Sequence, residues 1–203
     1  MPTARRIAVA LVALSSLAFV PSASAAFSTA YGGTVSCAVQ SGNGNVRLCS
    51  GPTTTWDGKT KVDVNVILPP APAMGADGPY PLIGDFHGWG GSKIGLNPQT
   101  QGWAQNGYAV FSMSDRGWGN SCGSSDPDRL PTTEKCKAGY NHLMDDRVEV
   151  RDAQYLISVL ADEGVAQPKK IGATGMSYGG GISMALAALR NRTMLPYGSL
   201  VAW

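Results

Sequence analysis

Charged side chains are scarce in this sequence: Asp, Glu, Lys and Arg make up 15% of the 203 residues, and only two residues are histidine. A formal net charge of +2 does not provide the strongly basic surface that nucleic-acid binding requires. Cys-x-x-Cys pairs, Cys/His spacings typical of zinc sites, phosphate loops and nucleotide fingerprints do not occur. We therefore expect no metal, no cofactor and no nucleic-acid partner.

The N-terminus has the three parts of a secretory signal peptide. Arg5 and Arg6 supply its positive charge, an apolar run follows over residues 7–20, and an Ala-Ser-Ala cleavage site lies at 23–25. The run is too short to span a bilayer comfortably, and no second run reaches that length. We predict a signal peptide at residues 1–25, for which the paired arginines leave both the general secretory and the twin-arginine route open. The mature chain is expected to be secreted, formally neutral and without a membrane segment.

Four cysteines follow the predicted cleavage site; they are Cys37, Cys49, Cys122 and Cys136. An even number of cysteines in an exported chain predicts two disulfides, for which three pairings are possible. Pairing each cysteine with its nearest neighbour closes two short polar loops, and each closure would stabilise the fold by roughly 3 kcal/mol. A zinc site is the alternative, which the cysteine spacing disfavours.

Strand-like and helix-like segments alternate along the rest of the chain. Apolar patterns predict strands at residues 62–68, 82–86, 108–113, 171–174 and 198–203. Helices are predicted from the start signal Asn97–Pro98, from Asp145 and Asp146 up to Gly164, and over residues 182–189. This order predicts right-handed βαβ units and a largely parallel sheet flanked by helices. Residues 26–58 are predicted to form a β-rich N-terminal extension, and residues 59–203 the N-terminal part of the α/β domain.

A catalytic motif lies between the predicted strand at 171–174 and the helix at 182–189. Gly-Met-Ser-Tyr-Gly at residues 175–179 has the pattern of a nucleophile elbow, a sharp strand-to-helix turn that lifts a serine hydroxyl into a cleft. Ser177 is therefore the predicted nucleophile, and the backbone N–H of Tyr178 a donor to the oxyanion. A second donor is expected from the glycine-rich loop after residue 86, from Trp89 first and Gly88 next.

The base that would activate the serine is harder to find, because no His, Asp or Glu follows residue 179. His87 lies in the glycine-rich loop, where we expect it to prop the turn. His142 precedes a helix start, so a surface or capping role is the main expectation and a catalytic role the alternative. Glu149 and Asp152 are expected to be solvated on their helix.

Another acid, Asp115, ends a predicted strand. We expect it to brace the glycine-rich loop through Arg116 rather than to act in catalysis.

Three motifs carry a family resemblance: His-Gly-Trp-Gly-Gly-Ser at 87–92, Asp-Arg-Gly-Trp-Gly-Asn-Ser at 115–121, and Gly-Met-Ser-Tyr-Gly-Gly at 175–180. In this order they resemble the X-Pro dipeptidyl-peptidase and cocaine-esterase family of α/β-hydrolases, over roughly residues 50–203. The resemblance implies an α/β-hydrolase-like fold, with Ser177 as acyl acceptor and Tyr178 in the oxyanion hole. Family members often have a tyrosine where this chain has Trp89, and their acid and histidine lie beyond the elbow.

The resemblance therefore implies a chain that is incomplete at its C-terminus and inactive alone. The function it implies is that of a secreted serine hydrolase, which cleaves a small ester or a peptide such as X-Pro through an acyl-enzyme. The alternative is a secreted α/β binding domain without catalytic activity.

Overall fold

The computed structural model describes residues 26–121 and 139–189. The predicted signal peptide, Cys122, Cys136 and the predicted strand at 198–203 lie outside the described residues. The strands are β1 (Thr29–Ala30), β2 (Val35–Gln40), β3 (Val46–Thr54), β4 (Lys61–Leu68), β5 (Tyr80–Phe86), β6 (Ala109–Met113) and β7 (Ala166–Gly175). The helices are α1 (Pro98–Gln105), α2 (Glu149–Asp162) and α3 (Tyr178–Leu189).

The strands form one sheet in the order β1-β2-β3-β4-β6-β5-β7. The pairs from β1 to β4 and the pair β4–β6 are antiparallel, whereas β5 pairs in parallel with both β6 and β7. The described sheet is therefore mixed rather than largely parallel. The reason is that residues 26–58 add β1, β2 and β3 to the same sheet through short connections, which can join only antiparallel neighbours.

A disulfide and a tight turn hold the antiparallel half together. Cys37 of β2 lies directly opposite Cys49 of β3, and the two are joined by a disulfide, as nearest-neighbour pairing predicts. In the turn between β3 and β4, Asp57 accepts hydrogen bonds from the backbone N–H groups of Lys59 and Thr60, at 2.9 and 2.8 Å. These bonds fix the hairpin that carries the chain into β4.

The helices cover both faces of the sheet. On one face, Ala104 of α1 packs with Ile67 and Val110. On the other face, α2 and α3 pack over the main core. The predicted apolar stripe of α2 is fully buried, and its members are Ala153, Leu156, Ile157 and Leu160. No helix in the described ranges is long and apolar enough to cross a membrane.

The predicted start is correct for α1 but not for α2. Asn97 caps α1 through hydrogen bonds from the N–H groups of Gln99 and Thr100, with Pro98 at the first helical position, as predicted. Helix α2 begins at Glu149, four residues later than the predicted start at Asp145. The reason is that residues 146–148 form a turn, in which the N–H of Val148 bonds to the carbonyl of Asp145.

Because β6, β5 and β7 are parallel neighbours, their carboxyl ends meet at one edge of the sheet. In open α/β sheets this edge is where ligands bind. The loops that leave it begin at His87, Ser114 and Met176. All three sequence motifs therefore lie at the same end of the molecule.

Candidate active site

Ser177 occupies the turn between β7 and α3 with a backbone φ of 54°. This left-handed conformation is strained for a residue with a side chain, and such strain recurs at functional sites. The residue is exposed, and its hydroxyl makes no hydrogen bond to any described atom. The geometry is that of a nucleophile elbow: a strand, one strained serine and a helix.

The glycines on either side of Ser177 allow α3 to pack directly on the end of β5. A Cβ on Gly179 would lie 2.1 Å from the carbonyl oxygen of Phe86, and one on Gly175 would lie 2.6 Å from the same oxygen. Real Cβ atoms do not approach other atoms this closely, and the obstacle is backbone, which cannot turn aside. Both positions therefore require glycine.

The loop after β5 runs beside the elbow. A Cβ built on Gly88 would lie 4.0 Å from the Cβ of Ser177 and 3.6 Å from the carbonyl oxygen of Met176. The loop closes into a turn in which the N–H of Gly91 donates to the carbonyl of Gly88 at 3.1 Å. The peptide between Gly88 and Trp89 is thus a fixed neighbour of the serine.

Two backbone N–H groups near Ser177 are left without an acceptor. Neither the N–H of Tyr178, at the first position of α3, nor that of Trp89 donates a hydrogen bond to any atom in residues 26–121 or 139–189. A helix N-terminus carries a partial positive charge, which favours a developing anion beside it. The two unpaired donors form a candidate oxyanion hole.

Three aromatic rings support this corner. Trp89, Trp118 and Tyr178 pack edge to face in all three pairs, with centroids 4.8 to 5.8 Å apart. Trp118 and Tyr178 are buried, whereas Trp89 is 56% exposed. The hydroxyl of Tyr178 accepts hydrogen bonds from the Asn141 side chain at 2.8 Å and the Met144 N–H at 2.9 Å. The side chain of Tyr178, the residue after the nucleophile, is therefore held by contacts of its ring and by hydrogen bonds to its hydroxyl.

His87 is buried behind the loop and does not face the serine as a free base. Its Nδ1 lies 2.7 Å from the carbonyl oxygen of Gly88, and its Nε2 accepts the backbone N–H of Asp115 at 3.1 Å. Burial lowers the pKa of His87, although the hydrogen bond to Gly88 opposes the shift. The ring is therefore neutral near pH 7 and links the loops that follow β5 and β6.

Asp115 is buried with no hydrogen-bond partner for its Oδ1 within the described residues. Burial raises the pKa of this carboxyl well above its usual range, and the charges of Glu149 and Asp152 add to the shift. The expectation that Asp115 braces the loop through Arg116 is not what the contacts show. It braces the loop through its backbone N–H, which bonds to His87.

Arg116 joins three distant parts of the chain. Its guanidinium holds both carboxylate oxygens of Asp152, at 2.6 and 2.7 Å, and also bonds to Asp57 at 3.1 Å. Burial raises the pKa of Asp152 to about 6, although Arg116 opposes the shift. Asp152 is fully buried, so the expectation that it is solvated is wrong; a buried guanidinium next to the helix needs a carboxylate.

Glu149 is also fully buried rather than solvated. One of its carboxylate oxygens accepts the backbone N–H of His142 at 2.8 Å and lies 2.9 Å from the ring Nδ1 of that histidine, and the other accepts the N–H of Asp145 at 3.1 Å. The side chain of His142 is 22% exposed and stacks on Tyr140 with centroids 4.1 Å apart. His142 is thus oriented by a carboxylate, as a catalytic histidine would be.

The structure brings together Ser177, Tyr178, Trp89 and Gly88, the four predicted site residues outside the disulfides. Sequence reasoning missed the pairing of His142 with Glu149 and that of Arg116 with Asp152. An acid in the first turn of a helix was the available signal for Glu149. No group of His, Cys, Asp and Glu within the described ranges is arranged to hold a metal ion.

Comparisons with known proteins agree with this architecture. The model of the family described as acetyl xylan esterase (AXE1) matches residues 55–197. A puromycin-hydrolyzing peptidase of Mycobacterium tuberculosis is 18% identical, with a TM-score of 0.54, over 72% of this chain and 21% of its own. The acetyl xylan esterase of Paenibacillus sp. R4 is 21% identical, with a TM-score of 0.51, over 78% of this chain and 50% of its own.

A third structure, the acylaminoacyl peptidase of Pyrococcus horikoshii, is 20% identical, with a TM-score of 0.50, over 74% of this chain and 22% of its own. The chain therefore spans between about a fifth and a half of the length of these structures. At such identities the likeness shows the fold alone, and the prediction of an α/β-hydrolase-like fold is confirmed.

Proposed function

This chain belongs to the acetyl xylan esterase family, and from that premise we propose that it is the nucleophile-bearing part of a serine esterase. Ser177 attacks the carbonyl carbon of a small acyl ester and forms an acyl-enzyme, which water then hydrolyses. The observation that carries the proposal is the position of Ser177: a strained, exposed serine at the carboxyl edge of a parallel sheet, beside two unpaired N–H groups.

The chemistry follows from those contacts. As the serine oxygen attacks, negative charge develops on the carbonyl oxygen of the substrate. The N–H groups of Tyr178 and Trp89 are fixed in place before the reaction, so they stabilise that charge without reorganising. Each donor of this kind is worth roughly 100-fold or more in rate. The serine proton passes to a general base. The base returns this proton to the leaving oxygen as the tetrahedral intermediate collapses, so that the C–O bond of the ester breaks and a neutral alcohol departs.

For the substrate we propose small acyl esters, of which acetyl esters are the first to test. The family name supports this choice, and so does the half-exposed indole of Trp89, which presents an apolar surface and packs on Tyr178, the residue after the serine. The narrower resemblance to X-Pro dipeptidyl-peptidases and cocaine esterases makes X-Pro peptides the second substrate class. Hydrolysis rates on 4-methylumbelliferyl acetate and on a Gly-Pro-aminocoumarin amide distinguish the two classes.

The test of the nucleophile is covalent labelling by a fluorophosphonate. We expect labelling of the wild type to disappear in Ser177→Ala and to persist in Ser183→Ala, a control serine on α3 whose hydroxyl donates to the carbonyl of Gly179 at 2.8 Å. Labelling that survives Ser177→Ala would refute the proposal. A chain that never labels, yet still binds an ester analogue, would support the alternative of a secreted binding domain without catalytic activity.

The same assay examines the base. We propose that the 203-residue chain alone turns over slowly or not at all, because no His, Asp or Glu in it follows the elbow. His142 is the alternative base, since within the described residues its Nε2 makes no hydrogen bond, whereas both ring nitrogens of His87 are engaged. Any Ser177-dependent turnover by this chain should then fall in His142→Gln. Turnover that is unaffected by this substitution would exclude His142 as the base.

We also propose that the protein is exported. The support is the N-terminal sequence pattern together with the Cys37–Cys49 disulfide, since such bonds persist in oxidising compartments. Expression with and without residues 1–25, followed by fractionation, tests this proposal. Retention of the full chain inside the cell, uncleaved, would contradict it.

A further inference from the structure

We propose that His87 is a positioning residue that turns the N–H of Trp89 toward Ser177, acting as a permanently neutral imidazole with its proton on Nδ1. The proposal rests on the proposed function, because it assigns what holds one of the two oxyanion donors in place.

The tautomer follows from the partner of Nε2. That nitrogen receives the backbone N–H of Asp115 at 3.1 Å, and a backbone N–H can only donate. Nε2 must therefore be unprotonated, and the proton of a neutral ring lies on Nδ1. There it donates to the carbonyl oxygen of Gly88 at 2.7 Å.

The ring is kept neutral by its surroundings. His87 is 4% exposed, and burial lowers its pKa. The nearest carboxyl is that of Asp115, whose Oδ2 is 3.9 Å from Nε2, and burial holds the pKa of this acid well above its usual range. An edge-to-face contact with Trp118, at 5.5 Å between centroids, covers another side of the ring. An imidazolium here would have to break the bond from Asp115, because both of its nitrogens would donate.

The orientation of the donor follows from peptide geometry. The bond between Gly88 and Trp89 is trans, so its carbonyl oxygen and its N–H point in opposite directions. The carbonyl is held on the inner side by two donors, Nδ1 of His87 and the N–H of Gly91. The N–H of Trp89 therefore points away from His87 and Gly91, and it makes no hydrogen bond within the described residues. Because a Cβ on Gly88 would lie 4.0 Å from the Cβ of Ser177, this peptide adjoins the serine, and we infer that its free N–H faces the serine hydroxyl.

The first measurement is a long-range ¹H–¹⁵N spectrum of the histidine rings in the wild-type chain. For His87 we expect a protonated Nδ1 and an unprotonated Nε2, with no change between pH 5.5 and 8. A protonated Nε2, or a ring that titrates near pH 6.5, would overturn the proposal whatever the activity of the protein.

The second measurement compares two variants that each keep one contact. In His87→Asn the amide nitrogen can replace the Nδ1 donor to Gly88, whereas in His87→Gln the amide oxygen can replace only the Nε2 acceptor for Asp115. We expect fluorophosphonate labelling of Ser177 to slow by about 100-fold in His87→Gln and by less than about 10-fold in His87→Asn. Equal losses in the two variants would refute the positioning role.

If the wild type does not label at all, the proposed function is refuted, but the contact between His87 and Gly88 can still be tested. The carbonyl ¹³C shift of Gly88 reports the hydrogen bond from Nδ1 directly. It should move upfield in His87→Gln and stay close to the wild-type value in His87→Asn. Shifts that are the same in both variants would contradict the proposed contact.

Discussion

The contact between α3 and β5 predicts that Gly179→Ala is strongly destabilising. Replacing a helical glycine by alanine normally stabilises by about 1 kcal/mol, because alanine has the higher helix propensity. At this position the new methyl group would lie 2.1 Å from the carbonyl oxygen of Phe86, 2.6 Å from its carbonyl carbon and 2.8 Å from the carbonyl oxygen of His87. All three atoms belong to the backbone, so α3 itself would have to move away from the sheet.

Overpacking of a tight core costs about 1–3 kcal/mol, and an obstacle made of backbone belongs at or beyond the upper end of that range. After subtracting the gain in helix propensity, we expect Gly179→Ala to lower the free energy of unfolding by at least about 2 kcal/mol. For a chain of this size that corresponds to a fall in Tm of roughly 4–8 °C. Urea unfolding followed by circular dichroism measures the loss, and an unchanged m value shows that the transition still exposes the same surface.

The matched control is Gly102→Ala in the middle of α1, where a Cβ would meet nothing within 4 Å. This variant should be as stable as the wild type or up to about 1 kcal/mol more stable. Opposite signs at the two helical glycines are the expected result. If Gly179→Ala proved as stable as the wild type, the close approach of α3 to β5, and with it the geometry of the elbow, would be wrong.

Three further substitutions test the buried acid Asp115, the buried Arg116 and the disulfide of the antiparallel strands. The first is Asp115→Asn. In the unfolded chain the Asp115 carboxyl loses its proton above about pH 3.9, whereas in the folded chain it keeps the proton to higher pH. The free energy of unfolding of the wild type, relative to that of Asp115→Asn, should therefore fall with rising pH by up to about 1.4 kcal/mol per pH unit. Urea unfolding at pH 4 and pH 6 measures that difference, and a constant difference would show that Asp115 is ionised. Arg116→Lys keeps the charge but loses the two parallel bonds to Asp152, so we expect a loss of about 1–3 kcal/mol in urea unfolding, whereas an unchanged midpoint would mean that the paired geometry is not used. Removing the disulfide with the double substitution Cys37→Ser and Cys49→Ser should lower stability by about 2–3 kcal/mol, and an unchanged Tm would contradict this.

How far the sequence predicts this fold depends on the range of each interaction. The cap at Asn97 and the apolar stripe of α2 follow from residues within a few positions of one another, and both were predicted correctly. The pairing of β1, β2 and β3 with the main sheet depends on partners brought together by the whole fold, so the mixed sheet was not predicted.

The same difference applies at the site. Ser177 and its glycines form a motif of six consecutive residues, which can be recognised in the sequence. The steric requirement for the glycines comes from one neighbouring element, the end of β5. The burial of Glu149 and Asp152 depends on residues 7 and 36 positions away, His142 and Arg116. A sequence window over α2 shows only two acids in a first helical turn, which normally indicates solvent exposure. The partners that overturn this expectation are visible only in three dimensions.

The long separation between the partners of Arg116 also bears on how the chain is made. Asp57 precedes the arginine by 59 positions and Asp152 follows it by 36. In a nascent chain the bond from Arg116 to Asp57 can therefore form as soon as both residues have emerged from the ribosome, whereas the bonds to Asp152 must wait until α2 has emerged. The end of β6, next to the elbow, is therefore completed only after α2 has been synthesised.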